Sequence, residues 1–442
     1  MIDKIKEILL KNKIEHYRIN CVNSKSVEMF FIKKETDMLR STEITEYSVT
    51  VYRDFMQSDV KMRGHSTALV FPDMTEEEIS RAVNNAYYAA SFVKNKFYEL
   101  PKPSKTLMLQ KREYNLKEEA FKLAEALFSA EKSDSKSFIN SAEIFAVGKI
   151  SRVVNSEGID VEYSKYNFNG EFVTQAVADD KDVEIHTQFS YNEPEYEQLT
   201  AKVEEALITV HDRLEAKGPA PAGKYDIILT GVNLATILDY YTERTQGSMI
   251  YAGYSSYQKG SFLQGDENEI KGERLNITLK ATQPYSAEGI AMQDRVLSQD
   301  GILKTIHCGA RFAHYLGLEA TGDYGAFECG CGSESFEDMK KGALYIAVFS
   351  DFQMDSFTGQ FGGEIRLAYF LEEKDEKTYV LAQLKLADVN FLKGKFISAK
   401  KSLKTIGLIV VVVTISCLVV AGYIWYRKGR MLKGALLSGK IC

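Results

Sequence analysis

The pattern of apolar and polar positions divides the chain into a half with helices and strands and a half rich in strands. In the first half, apolar residues recur at helical spacing over 3–12, 75–100, 115–132 and 195–217, which predicts helices with one buried face. Between the helices lie runs rich in β-branched and aromatic residues, which predict strands. The first of these runs are 16–22, 26–33, 41–52, 66–71 and 141–154. The pattern predicts an α+β fold whose N-terminal domain contains a mixed sheet.

Local signals mark several helix starts and turns. Thr75 and Glu78 have the spacing of a capping box, and Asn115 is placed to open the helix that follows. The tetrapeptide Asn155–Gly158 predicts a hairpin turn, because its glycine tolerates a positive φ. The tetrapeptide Ser298–Gly301 carries the Asp-Gly signal of another hairpin.

A short linker separates the two halves of the chain. Gly218–Gly223 contains only Gly, Pro and Ala, as linkers often do. After it, short apolar runs alternate with Gly, Asp and Asn, which indicates a β-rich domain over 224–395. We therefore expect an N-terminal domain at 1–217, and the length of 442 residues agrees with two or three domains.

The last apolar segment of the chain differs from the rest. Ile406–Tyr426 carries no charge and has basic residues on both sides. It has about the 20 residues that cross a bilayer as a helix, and aromatic residues stand near its end, as they do at membrane interfaces. We expect a hydrophobic C-terminal helix that spans the membrane. Its richness in Val and Ile leaves a pair of buried β-strands as the alternative.

Composition and charge exclude several classes of protein. The apolar fraction of 45% and the charged fraction of 26% are those of a globular chain. A net charge of −6 gives no electrostatic case for binding nucleic acid. The six cysteines show no disulfide framework, and the N-terminus does not have the pattern of a signal peptide. We expect a cytoplasmic protein, with the C-terminal segment as the element that would tether it to the inner face of the membrane.

The stretch Leu229–Tyr251 predicts an amphipathic helix directly after a buried strand. Four of its apolar residues fall at i, i+3, i+4 and i+7 on one helical face: Leu234, Ile237, Leu238 and Tyr241. Asn233 is a suitable N-cap. We therefore expect the helix to begin near Asn233 and to end near Gly247.

Several segments, taken in order, resemble the TldD/PmbA family of metalloproteases. Ile139–Tyr166 is similar to the family's strand–hairpin–strand with the residues Asn-Ser-Glu-Gly, and the stretch AGKYDIILTGVNLATIL is similar to its domain junction. Asp300–Gly325 and Asp355–Glu372 are similar to two of its glycine-containing stretches. The match covers about residues 15–383. It implies an α+β N-terminal domain, a mainly antiparallel, barrel-like C-terminal domain, and a dimer whose active cleft lies between domains.

In the catalytic members of that family, the helix after the linker carries His-Glu-x-x-x-His. Two imidazoles one turn apart bind Zn²⁺, the Glu is a general base for the metal-bound water, and a late cysteine supplies a third ligand. In this sequence the three positions are Asp239, Tyr240 and Arg244, so all three are replaced. The resemblance therefore implies a non-catalytic subunit of the PmbA/TldE type that binds no cofactor itself. Its partner would be a TldD-like zinc peptidase subunit, or a second copy, and the substrates would be unfolded peptides.

Other chemistry has weaker support. Asp239 and Glu243 lie one helical turn apart and offer two oxygen ligands, although hard cations need more. His307 and Cys308 precede Cys329 and Cys331, but Cys-x-Cys is not the spacing of a structural zinc site. No Gly-x-Ser-x-Gly elbow and no phosphate-binding glycine loop occur. The alternative functions are a self-sufficient metallopeptidase with a non-standard site, and a membrane-anchored accessory protein.

Overall fold

The computed structural model describes most of the chain as far as residue 372 and short strands beyond it. The described residues are 1–104, 113–132, 136–178, 180–216, 225–270, 272–332, 334–372, 375–379, 382–385, 396–398, 411–413 and 418–421, with side chains as far as residue 370. The predicted linker Gly218–Gly223 lies outside the described residues, so the domain boundaries stay a prediction.

Helices occur in both halves of the chain. Those of the N-terminal half are α1 Ile2–Lys11, α2 Glu76–Ala90, α3 Leu116–Ser129 and α4 Tyr196–Glu215. Those of the C-terminal half are α5 Gly231–Arg244, α6 Gly247–Tyr251, α7 Ala310–Leu316 and α8 Phe336–Lys340, with a 3₁₀ turn at Glu267–Glu269.

The strands form three sheets. The N-terminal strands are β1 His16–Ile32, β2 Glu35–Gln57, β3 Val60–Val70, β4 Ser137–Asn155, β5 Asp160–Ala178 and β6 Lys181–Tyr191. The C-terminal strands are β7 Asp226–Leu229, β8 Ile277–Leu279, β9 Arg295–Gln299, β10 Ile302–Leu303, β11 Phe327–Cys329, β12 Ala343–Met354, β13 Phe361–Glu372, β14 Asp375–Tyr379, β15 Ala382–Lys385, β16 Phe396–Ser398, β17 Val411–Val413 and β18 Leu418–Ala421.

The N-terminal sheet has the strand order β3-β2-β1-β4-β5-β6. Every described pair in it is antiparallel, so the prediction of a mixed sheet was wrong. Short turns join β1 to β2, β2 to β3 and β4 to β5, and a strand that returns through a short turn must pair antiparallel. The predicted strands 16–22 and 26–33 are one continuous strand, β1.

Four helices cover one face of this sheet. Along β4, Ala142, Ile144 and Ala146 are buried while Glu143 and Phe145 are half-buried, which is the period of two that a strand imposes. The buried set packs with α3 and α4 through Leu123, Leu127 and Val203. A second cluster joins α1 and α2 to β1, β2 and β3: Ile5, Leu9, Ile19, Val49, Val51, Ile79 and Val83. Side chains of the opposite face, such as Asn20 and Lys165, contact the C-terminal half.

The predicted capping signals agree with the structure, but one helix is shorter than predicted. Thr75 and Glu78 form the capping box of α2, and the Asn115 side chain caps α3. The expected helix over 75–100 ends at Ala90. The chain after it bonds instead to the outer edge of β3, where Arg63 N donates to Asn95 O at 2.8 Å and Phe97 N donates to Lys61 O at 3.0 Å. Tertiary contacts override helix propensity there.

The C-terminal half contains two sheets. One has four strands in the order β10-β9-β8-β11, and the larger has eight described strands, with β7 parallel to β12 and the other described pairs antiparallel. The predicted Asp-Gly hairpin joins β9 to β10, with positive φ at Asp300 and Gly301. The fold is thus α+β with a large curled antiparallel sheet, as expected.

The expected C-terminal transmembrane helix at Ile406–Tyr426 is not supported. The described residues of that segment are strands, β17 paired with β7 and β18 paired with β15, and its other residues lie outside the described part. No helix in the described part of the chain is long and apolar enough to span a membrane. β-Branched residues favour strands, so a Val-rich apolar run also suits the interior of a sheet.

Candidate functional site

The helix that follows the linker, α5, is held by its apolar face. Strand β7 leads into it with Ile227, Ile228 and Leu229 fully buried. Its own inner face comprises the four residues that the sequence predicted: Leu234, Ile237, Leu238 and Tyr241, each at most 3% exposed. They pack against the C-terminal core. The helix begins at Gly231 with Thr230 as N-cap, two residues before the predicted start, so the N-cap assigned to Asn233 was wrong.

Two of the three motif positions lie at different depths on α5. Asp239 is exposed, and its Oδ1 accepts a hydrogen bond from Thr242 Oγ1 at 3.2 Å. Partial burial, with a contribution from the Glu243 charge, raises the pKa of Asp239 above its usual range. Tyr240 is only 6% exposed and packs edge-on against Tyr241 at 5.5 Å between ring centroids. The aspartate is thus the motif residue that solvent reaches most easily.

The third position, Arg244, closes over the second. Its guanidinium carbon lies 5.8 Å from the centre of the Tyr240 ring, within cation–π range. Its Nη1 donates to the carbonyl oxygen of Phe357 at 3.3 Å. A guanidinium stays protonated and has no lone pair to offer a metal. The two positions that would carry the Glu and the second His are therefore occupied by a stacked Tyr–Arg pair.

The turn between β12 and β13 supplies the carbonyl that Arg244 binds. Asp355 organises this turn, since its Oδ1 accepts from Phe357 N at 2.8 Å and from Thr358 N at 2.9 Å. These bonds lower the pKa of Asp355. The exposed Phe357 ring also meets Tyr254 at 5.3 Å. Arg244 and Phe357 stand 113 residues apart in the chain, and no motif in the sequence signals this contact.

His307 lies beneath the last turn of α5. It is fully buried, and its Nε2 is 3.0 Å from the carbonyl oxygen of Thr242, to which it can donate. Burial lowers the pKa of His307, so the neutral ring is favoured. Its Nδ1 has no hydrogen-bond partner among the described residues. The ring serves here as a support for the helix end.

The cysteines of the alternative metal site are spread over several elements. Cys308 is buried beside Gly247, and burial raises its pKa to about 12. Cys329 ends β11, and burial likewise raises its pKa to about 12, whereas Cys331 is exposed. Metals bind the thiolate form, which these raised values disfavour. Among the described residues, no group of three or more His, Cys, Asp or Glu side chains is arranged to hold a metal ion.

These residues do not fit a zinc site of the His-Glu-x-x-x-His kind. Zn²⁺ takes imidazole, thiolate and carboxylate ligands, and of the three motif positions only Asp239 offers one. The second candidate pair, Asp239 with Glu243, is exposed on the outer face of α5. That this chain binds no metal stays a prediction.

A cleft of about 990 Å³ lies between the N-terminal sheet and the C-terminal half. The open face of the sheet forms one wall through residues such as Phe145, Asn169 and Gln188. The start of α5 at 230–233 and strand β12, with Tyr345 and Phe349, form the other. No local motif predicts these walls, because they combine residues from distant elements.

Comparisons with known proteins agree with this architecture. A family model described as the PmbA/TldA metallopeptidase C-terminal domain matches residues 222–393. The structure of TldE from Thermococcus kodakarensis is similar, with a TM-score of 0.76 at 15% identity over 95% of this chain and 100% of that one. Among curated protein sequences, none matches this chain significantly.

Two bacterial structures also share the fold. A protein described as a putative modulator of DNA gyrase from Bacteroides thetaiotaomicron has a TM-score of 0.72 at 14% identity, over 94% of this chain and 97% of that one. A protein from Thermotoga maritima with the same description has a TM-score of 0.71 at 14% identity, over 95% of this chain and 98% of that one. At these identities the likeness shows the fold.

Proposed function

We propose that this chain, whose residues 222–393 match the PmbA/TldA metallopeptidase model, is the non-catalytic, TldE-like subunit of a TldD/TldE-type metallopeptidase of the TldD/PmbA family. The observation that carries the proposal is the Tyr240–Arg244 pair, which fills the motif positions of α5 with groups that cannot replace a general base and an imidazole. The resemblance implies a heterocomplex with a TldD-like subunit, in which zinc would be held by the partner. We also propose a cytoplasmic location for the complex.

The cleft supports a role for this subunit in holding substrate. Strand β6 is the last strand of its sheet, and its residues 185–190 border the cleft. An unfolded peptide can add to such an edge through main-chain hydrogen bonds, independently of its side chains. We propose that the subunit helps to align an extended segment of an unfolded polypeptide for cleavage at the partner's zinc.

The experiment compares the purified chain with its complex. We expect the chain alone to contain no stoichiometric zinc and to leave an unfolded, fluorescein-labelled polypeptide uncut. Together with the TldD-type subunit of the same organism it should form a stable complex whose peptidase activity is lost on chelation. Stoichiometric zinc in the chain alone, with chelator-sensitive activity, would support the self-sufficient metallopeptidase and contradict the proposal.

Reciprocal variants locate the chemistry. Replacing the first His of the partner's His-Glu-x-x-x-His motif by Ala should abolish activity of the complex. Arg244→Ala in this chain should leave most of it, because the residue takes no part in the chemistry. Loss of activity in both complexes, with assembly intact in each, would place a reacting group in this chain and contradict the non-catalytic role.

A further inference from the structure

Strand β2 is twice as long as the strand that covers its outer side. It has 23 residues and β3 has 11. The register pairs β3 with Tyr47–Gln57 alone, while β1 pairs with β2 along almost its whole length. The half of β2 from Glu35 to Glu46, called here the free edge, therefore has no strand on its outer side in the described part of the chain.

The two halves of β2 differ in burial as well as in pairing. In the covered half, Val49 and Val51 are fully buried. In the free edge, Met38, Leu39 and Ile44 are 42%, 45% and 54% exposed. Apolar side chains flank a row of outward N–H and C=O groups, and that combination is the template on which another strand adds.

Two of the usual protections of an edge strand, short length and a cover, are missing from the free edge. Natural edges are kept short, carry Pro or charged residues, contain β-bulges, or are covered by other chain. The free edge carries charged residues and a register shift at Asp37, but it is long and has no cover in the described part of the chain. The 12 residues of Glu35–Glu46 include no Pro and no Lys, and a typical whole strand has only about 5–6 residues. The start of the outer edge of β3 is covered, because Asn95 and Phe97 bond to its backbone at Arg63 and Lys61. The free edge has no such cover among the described residues.

The charges of the free edge indicate what kind of strand it accepts. Arg40 is paired with Glu28, and Glu43 is paired with Lys25 at 3.1 Å. The other charged residues of the free edge are Glu35, Asp37 and Glu46, which have no ion pair among the described residues. All three are acidic. A second copy would bring the same acidic edge against itself, and like charges on adjacent strands are unfavourable.

We propose that the free edge is the docking site of the partner subunit, which adds a basic β-strand as a seventh strand of the N-terminal sheet. The inference rests on the proposed function, since it identifies the surface through which this subunit joins its peptidase partner. Lys or Arg side chains of the added strand would face Glu35, Asp37 and Glu46, and its apolar side chains would cover Met38 and Ile44.

The test is a charge reversal with a matched control. The variant E35K/D37K/E46K changes the net charge by the same amount as the control E7K/D73K/E125K, whose residues are exposed on other elements. Binding of each purified variant to the TldD-type subunit of the same organism is measured by titration. We expect the free-edge variant to bind about tenfold or more weakly and the control to bind as the wild type does.

Hydrogen exchange of the unaltered chain gives a second measurement that needs no variant. Complex formation should slow amide exchange in residues 35–46 and leave β3 unchanged. Equal affinity of the two variants, with no new protection at 35–46, would overturn the docking site while the proposed function stands. Failure of the wild type to bind the TldD-type subunit would overturn both. A dimer of the chain alone that the free-edge variant disrupts would show a second copy as the occupant, against the proposal.

Discussion

The two faces of α5 obey different requirements. The inner face carries Leu234, Ile237 and Leu238, each at most 2% exposed, against the core of the C-terminal half. The outer face carries Asp239 and Glu243 in solvent. Packing constrains an inner residue to the right size and hydrophobicity, whereas an outer residue matters only for what it binds. A fold therefore persists when the chemistry of the outer face changes.

Two of the three motif positions lie at the boundary between these faces. Tyr240 is nearly buried and Arg244 is half-buried above it. A zinc ligand needs a lone pair directed at the metal, and neither the tyrosine's phenol in the core nor the guanidinium meets that need here. The pair instead contributes to packing at this boundary.

The largest expected effect is on the inner face. Ile237→Ala should lower the free energy of unfolding by about 2–5 kcal/mol, because it removes buried methyl groups and leaves a cavity. The measurement is urea denaturation. Val232→Ala, at a residue 75% exposed on the same helix, should change it by less than about 0.5 kcal/mol. Equal losses in the two variants would mean that α5 is not anchored by its inner face.

This inner face is also the part that the sequence predicted best. The spacing i, i+3, i+4 and i+7 predicted that four residues are buried, because helical periodicity is a local property. They are Leu234, Ile237, Leu238 and Tyr241. The start of α5 was misplaced by two residues, since both Thr230 and Asn233 are acceptable caps and tertiary packing decided between them.

Contacts between distant segments could not be predicted in this way. The bond from Arg244 to Phe357, and the covering of β3 by residues 95–97, depend on how separate elements meet. The exposed residues 35–40 of β2 escaped prediction for a related reason, because a strand without a buried face shows no alternation. The run at Ile406–Tyr426 led to the unsupported prediction of a membrane helix, because hydrophobicity alone does not separate such a helix from buried strands.

A smaller effect is expected from the support under the helix end, and it depends on pH. Burial lowers the pKa of His307 in the folded chain, while the unfolded chain titrates near about 6.5. Below that pH the unfolded chain binds a proton at His307 more readily than the folded chain does. The free energy of unfolding therefore falls as the pH decreases, by at most about 1.4 kcal/mol per pH unit. His307→Gln should flatten this slope between pH 6.5 and 5, as measured by urea denaturation at several pH values.

The control for that experiment is His186→Gln. The His186 side chain is 49% exposed and lies beside Glu171 on the sheet, far from the buried ring. Its replacement should leave the slope associated with His307 in place. A slope that persists in His307→Gln and disappears in His186→Gln would assign the pH dependence to the sheet and contradict the buried support.

The boundary pair should contribute less than a core residue. Arg244→Ala removes a cation–π contact and one hydrogen bond, which together are worth about 1–2 kcal/mol at a half-buried site. Amide exchange in the turn Asp355–Gln360 should accelerate as well, because Arg244 fastens that turn to α5. Arg81→Ala, at an exposed residue of α2, should change neither quantity. Unaltered exchange in the turn would show that the contact with Phe357 does not hold it.

The smallest effect, and one of opposite sign, is expected at Asp239. Burial and the nearby Glu243 raise the pKa of Asp239, so its charged form is disfavoured in the folded chain, and this cost is present at pH 7, above both the folded and the unfolded pKa. Asp239→Asn removes the charge and can still accept the bond from Thr242. It should leave the free energy of unfolding unchanged or raise it by up to about 0.5 kcal/mol at pH 7. The difference should vanish as the pH falls through the pKa of Asp239, where the wild type becomes neutral too.

A different result would change the contrast between the two faces of α5. If Asp239→Asn lowered stability only when a divalent metal is present, the outer face would be a metal site. The outer face would then have a chemical requirement of its own, beside the packing requirement of the inner face.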